Sequence, residues 1–104
     1  MISKKNLIEK MKSYPFGWMN GWFIDFHRNP DTAKKIGDIL INKYKLSFGV
    51  SDYFNNFIEA IPAMTFIWFD WDRVKYSTNT DQGYFISSEV FFNIVNNDPQ
   101  LELF

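Results

Sequence analysis

Cysteine is absent from this chain, and histidine occurs once, at His27. The first absence excludes a disulfide scaffold, a thiolate zinc site and a cysteine nucleophile. The second leaves little for a histidine-based metal cluster. Long hydrophobic runs are missing too. The longest nearly apolar stretch, Ala63–Phe69, holds seven residues and is interrupted by Thr65; a membrane-spanning helix needs roughly 20. Lys4, Lys5, Glu9 and Lys10 occupy the place where a signal peptide requires an apolar core. A cytoplasmic protein is therefore expected, and a Cys-free composition suits a reducing compartment. The sequence also lacks a phosphate-binding P-loop, a dinucleotide-binding glycine fingerprint, a nucleophile elbow and a His-Glu-x-x-His zinc motif. No catalytic residues, no metal and no cofactor are expected.

What the chain has in abundance is aromatic side chains: twelve Phe, five Tyr and four Trp among 104 residues. The length fits one domain spanning 1–104. The net charge of -1 conceals an uneven distribution. Residues 1–50 carry nine Lys/Arg and four Asp/Glu, whereas residues 51–104 carry two and eight. A basic first half is followed by an acidic second half, which bears on partners and association rates rather than on fold. The charges average out if the halves interleave in space.

Hydrophobic periodicity predicts mixed α and β structure. Ser3 caps a helix over 4–13 with Leu7, Ile8 and Met11 on one face, ended by Pro15 and Gly17. From Trp18 to Arg28 the period becomes two, with Trp18, Trp22, Ile24 and Phe26 opposite Phe23, Asp25 and His27. Asn29-Pro30-Asp31 starts a helix presenting Ala33, Ile36, Leu40 and Tyr44. Gly37 inside it costs about 1 kcal/mol against Ala, which points to a close approach at that position. Ser47-Phe48-Gly49 closes this helix. Ser51 caps the next, which carries Phe54, Phe57, Ile58 and Ile61 and stops at Pro62. Ala63–Trp71 reads as a central strand, apolar on both faces: Met64, Phe66 and Trp68 on one, Thr65, Ile67, Phe69 and Trp71 on the other. Arg73–Thr78 reads as an exposed strand, and after turn residues 79–83 the segment Tyr84-Phe85-Ile86 pairs back as a hairpin. Both periods fit residues 84–97. Ser88 as cap and Asn97-Asp98-Pro99 as stop favour a helix. The expected fold is α+β, a small antiparallel sheet of about three to four strands packed with three to four helices.

Three constellations carry chemistry. Asp25-Phe26-His27 places a carboxylate and an imidazole on one side of a strand, which supports either an acid/base pair in a small enzyme or an edge hydrogen bond. Asp70-Trp71-Asp72 sets two carboxylates around an indole, with Arg73 following. This spacing suits a recognition patch in which acids meet basic partner groups and Trp71 supplies contact area. In the competing reading Trp71 belongs to the core and the acids form a solvated strand end. Exposed aromatics also stack bases or sugars. Here, however, the aromatic-rich strand lies in the acidic half, so direct nucleic-acid binding is not expected.

With its short Cys-free chain, its aromatic surface and the acidic cluster Phe69-Asp70-Trp71-Asp72, the sequence resembles the small immunity proteins that bacteria make against bacteriocins or contact-dependent inhibition toxins. The resemblance implies a catalytically inert inhibitor that binds and neutralises one cognate toxin domain, such as a nuclease with a basic surface. The acids expected to meet it are Asp52, Glu59, Asp70, Asp72, Asp81 and Glu89, with Trp71 and Tyr76 as aromatic anchors. A small ligand- or nucleic-acid-binding module is the alternative. Self-association through aromatic surface is a further option.

Overall fold

The Ser3 hydroxyl accepts the Asn6 N–H at 3.1 Å and opens α1 (Lys4–Met11), whose Leu7, Ile8 and Met11 are buried. The computed structural model describes residues 1–16, 20–49, 54–78 and 83–97. After α1 come β1 (Trp22–Asp25) and α2 (Pro30–Gly37), which runs directly into a π-helical turn at Asp38–Lys43. The Asn29 side chain caps α2 by accepting from the Asp31 and Thr32 N–H groups, with Pro30 inside the first turn. Next are β2 (Ser47–Phe48) and α3 (Phe57–Ala60), which tightens into a 3-10 turn at Ile61–Ala63. The chain continues through β3 (Phe66–Phe69), β4 (Arg73–Ser77), β5 (Ile86–Ser87) and α4 (Ser88–Asn96).

The fold is α+β, but its sheet has five strands rather than three to four, in the order β2-β4-β3-β1-β5. Central β3 pairs antiparallel with β1 and β4, while both edge strands pair parallel, β5 with β1 and β2 with β4. The sheet is therefore mixed. The two edge strands hold two residues each, too few to display a period. Tyr84-Phe85-Ile86 does not return as a hairpin on β4: Ile86 lies beside Ile24 at the far edge of the sheet. Ser47-Phe48 does not close a helix either, because the π turn ends at Lys43 and these residues form the opposite edge.

The helices contribute to one core. Trp22, Ile24 and Phe26 join Ile67, Phe69 and Val74 there, together with Leu7, Met11, Ile36, Leu40 and Phe91. Phe23, Phe66 and Trp68 form a second buried cluster, as alternation about the sheet plane requires. Phe85 lies on Phe66 with ring centroids 5.3 Å apart. Met64 departs from the expected face. It precedes β3 and enters the main core.

Several expected boundaries shift. Strand β1 stops at Asp25, since His27 and Arg28 adopt left-handed backbone with φ of 55° and 57°. Asn56, not a residue at 51, caps α3, and Phe54 precedes that helix. Ser51 and Trp18 lie outside the described residues. Ser87 rather than Ser88 caps α4, accepting the Val90 N–H at 3.2 Å. The close approach expected at Gly37 is present: a Cβ there would stand 2.3 Å from the Phe57 ring.

Candidate functional site

Residues 70–72 turn the chain between β3 and β4 rather than extending a strand, so Asp70 and Asp72 are not paired on one strand face. The last cross-strand pair is Phe69 with Val74, and the Asp70 N–H donates to the Arg73 carbonyl at 3.0 Å. One carboxylate oxygen of Asp70, Oδ1, accepts the N–H groups of Asp72 (2.8 Å) and Arg73 (2.7 Å). Such an Asx turn rigidifies the loop with a charged acceptor. On the shoulder of the turn, the Asp72 carbonyl accepts the Ser47 N–H at 2.9 Å and ties β2 to it. Asp70 is half-buried, and Asp72 and Arg73 are exposed.

Between the two acids Trp71 stands at the apex with 45% of its surface exposed. The sequence left open whether this indole was core or surface, and the turn decides for surface. The indole is not free-standing, since its ring meets Trp22 edge-on at 5.5 Å and 78°. Phe16 meets Trp22 in the same way at 4.8 Å and 73°, and is itself 40% exposed. Trp22 is buried in the core, so two half-exposed rings rest on one fixed ring. The Trp22 indole N–H is buried and has no acceptor among the described residues. Lys12, which caps the C-terminal end of α1, places its ammonium 5.3 Å above the Trp71 ring, a cation–π contact. Here the basic and acidic halves of the sequence do interleave.

The remaining expected site residues are dispersed. The Glu59 carboxylate accepts the Asn55 N–H at 3.0 Å, while the Glu59 N–H donates to the Asn56 side chain at 2.9 Å. Glu59 thus caps its own helix. Tyr76 pairs with Ile67 in register, is half-buried against the main core and meets Phe54 edge-on at 6.4 Å. Asp52 and Asp81 lie outside the described residues.

Glu89 sits in the first turn of α4, with its carboxyl held below the usual range. Its own backbone N–H is the main cause; burial opposes it, and the Ser87 hydroxyl and His27 add to it. His27 Nε2 lies 3.8 Å from Glu89 and its Nδ1 lies 3.4 Å from Asp25. Asp25 also accepts the His27 N–H at 2.8 Å, which fixes the left-handed turn. Asp25 pairs with Phe66 and Ser87, whereas the apex follows Phe69 at the other end of β3. The Asp25–His27–Glu89 cluster and the Trp71 apex therefore occupy opposite ends of the sheet. Among the described residues no group of three or more His, Asp or Glu is placed to hold a metal ion, and no helix is long and apolar enough to cross a membrane.

Phe16 and Lys12 belong to the apex and carried no sequence signal. Phe16 lies in irregular chain between Pro15 and Gly17, and Lys12 follows α1. Only the pairing of β1 with β3, residues 22 and 69, brings them to the apex. Compared with protein-family models, with curated proteins and with solved structures, the chain matches none.

Proposed function

We propose that this chain is a non-catalytic binding protein of the immunity type, which neutralises a cognate toxin domain in the cytoplasm. The β3–β4 apex is its docking site. The observation that carries the reading is Trp71, a half-exposed indole set on a tight turn and buttressed by a buried Trp22. Interface hot spots are enriched in Trp, and an anchor already held in place loses less entropy on binding. Asp72 and the second Asp70 oxygen offer carboxylate acceptors beside it to basic groups of a partner, while Lys12 and Arg73 bring the net charge of the apex close to zero. Phe16, exposed on the same buried Trp22, offers further apolar area. Glu59, by contrast, is engaged in capping and Glu89 lies at the far end of the sheet, so neither belongs to this patch.

The test is to sequence the genes that flank this one and co-express the chain with any toxin domain found there, read as growth protection and as direct affinity. Trp71→Ala should weaken binding by about 2 kcal/mol, roughly 30-fold. Asp72→Lys should slow association, with the effect fading as salt rises. Asp70→Asn keeps an acceptor for the turn and serves as the control that removes charge alone. Undiminished protection by the folded Trp71→Ala, Asp72→Lys double variant would sink the proposal.

A further inference from the structure

Two cavities of about 620 and 470 Å³ flank α3, and the larger reaches β2, whose Ser47 is tied to the apex turn at Asp72. Both are lined by Lys34 and Ile58, so they form one groove with a ridge across it. Each volume lies within the range of pockets that bind ligands or side chains. Leu46 and Phe57, both buried, line the larger hollow, and buried Phe26 and Met64 line the smaller. Ile58 is 52% exposed. Its neighbours Phe57, Ala60 and Ile61 take the buried side of α3, which leaves Ile58 as an unsupported apolar ridge between two apolar hollows.

Cations outnumber acids along this groove, and the smaller hollow is lined by Arg28 and Lys34 with no acid. Arg28 and Lys34 line it and are exposed, and neither has a carboxylate within 4.0 Å among the described residues. Asp38 is the one acid among the lining residues, and its Oδ1 accepts the Asn42 side-chain N–H at 2.8 Å. Backbone geometry reinforces the arrangement. Arg28 arrives through two successive left-handed residues, a conformation that non-glycine residues seldom adopt. On the other wall the chain widens into the π turn Asp38–Lys43, closed by the Tyr44 N–H on the Ile39 carbonyl at 2.9 Å. Departures of both kinds concentrate at functional sites.

We infer that the groove between α2, its π turn and α3 is a second docking surface, which takes a segment of a partner protein bearing large apolar side chains and carboxylates. Two hollows separated by a ridge accept successive side chains of a peptide segment. The unpaired cations then meet carboxylates on the same segment, which selects it over a basic one. The larger hollow ends at Ser47, beside the apex turn, but neither Trp71 nor Phe16 lines the groove.

A phage-displayed random dodecapeptide library, selected on the folded chain, tests the inference. The selected peptides should combine at least two large apolar residues with Asp or Glu. Synthesised and labelled, they should lose at least about tenfold in affinity against Ile58→Asp. Against Arg28→Ala, Lys34→Ala they should lose a similar factor at low salt and less at high salt. Because all three residues are exposed, these variants keep the core, which circular dichroism checks. Trp71→Ala should bind the peptides unchanged. The inference is overturned if no peptide is selected, if the peptides are basic, or if Ile58→Asp binds them equally. Loss of peptide binding in Trp71→Ala overturns it as well, by placing the peptides at the apex. Sedimentation supplies one further arm: a dimer that Ile58→Asp dissociates would mean that a second copy fills the groove, which also overturns the inference.

Discussion

Gly37→Ala should destabilise this protein, although the general rule for a helical glycine has the opposite sign. Gly37 has φ of -59° and ψ of -43°, ordinary helical values that alanine adopts freely. On propensity alone the substitution gains about 1 kcal/mol. The added Cβ, however, would stand 2.3, 2.6 and 2.9 Å from three atoms of the Phe57 ring, where ordinary contact starts at 3.4 Å. The ring must retreat by about 1 Å. It is buried and would lose its edge contact with Phe48 at 5.3 Å on moving, although the larger hollow that it lines leaves some room. Overpacking of this kind costs about 1–3 kcal/mol, so once the propensity gain of about 1 kcal/mol is subtracted the net effect is a loss of about 1 kcal/mol, the middle of a range of roughly 0–2. In urea, with a slope of roughly 2 kcal/mol/M for a small domain, the midpoint should fall by about 0.5 M. Phe57→Leu shortens the obstructing ring. The Gly37→Ala, Phe57→Leu pair should therefore be more stable than the two single changes sum to, with a coupling above about 0.5 kcal/mol. A Gly37→Ala midpoint equal to or above that of the unchanged protein would refute this reasoning.

Two further changes test the polar interior. Thr65 is buried and its hydroxyl has no partner among the described residues; Thr65→Val should therefore stabilise by about 1 kcal/mol, read as a rise in the same urea midpoint. Tyr44 is buried and donates its hydroxyl to the Ile2 carbonyl at 2.7 Å, and burial pushes its phenol from 10.0 up to about 12. Because the folded value exceeds the unfolded one, the protonated phenol favours the fold. Its contribution, about 2–3 kcal/mol at roughly 1.4 per pH unit, is complete below pH 10 and is lost as pH rises through 12. Ultraviolet titration should show one tyrosinate forming near pH 12 that disappears in Tyr44→Phe, and that variant should flatten the fall in stability across this window.

The elements legible in the sequence were those that carry their own signals. Ser3 and Asn29-Pro30 announced α1 and α2, and the alternation through Trp22, Ile24 and Phe26 correctly separated the two faces of β1. The glycine at 37 was readable because nothing else justified its cost in a helix. Ser47-Phe48 was not legible as a strand, and the strand read at Tyr84-Phe85-Ile86 was given the wrong partner. Their pairing with Arg73-Val74 and Ile24-Asp25 depends on contacts distant in sequence, and two residues show no period. At the candidate site, Asp70-Trp71-Asp72 could be singled out from composition alone. That Asp70 would turn inward to hold two backbone N–H groups follows from its position after the last ladder pair, which only the β3–β4 register defines. The groove was invisible for a similar reason: Arg28, Lys34 and Ile58 come from three segments that no local pattern connects.

The hairpin of β3 and β4 has a kinetic consequence. Its strands meet across a three-residue turn, with Phe69 opposite Val74, and pairing over so short a separation closes at little entropic expense. Its other neighbour, β1, joins through Trp22 and Phe69, residues 47 positions apart, and that closure is the slower event. In the folding chain the Asx turn at Asp70 is therefore in place before Trp22 arrives beneath Trp71. The loop that presents the anchor is expected to form early, from contacts close in sequence, and the ring that steadies it to arrive late.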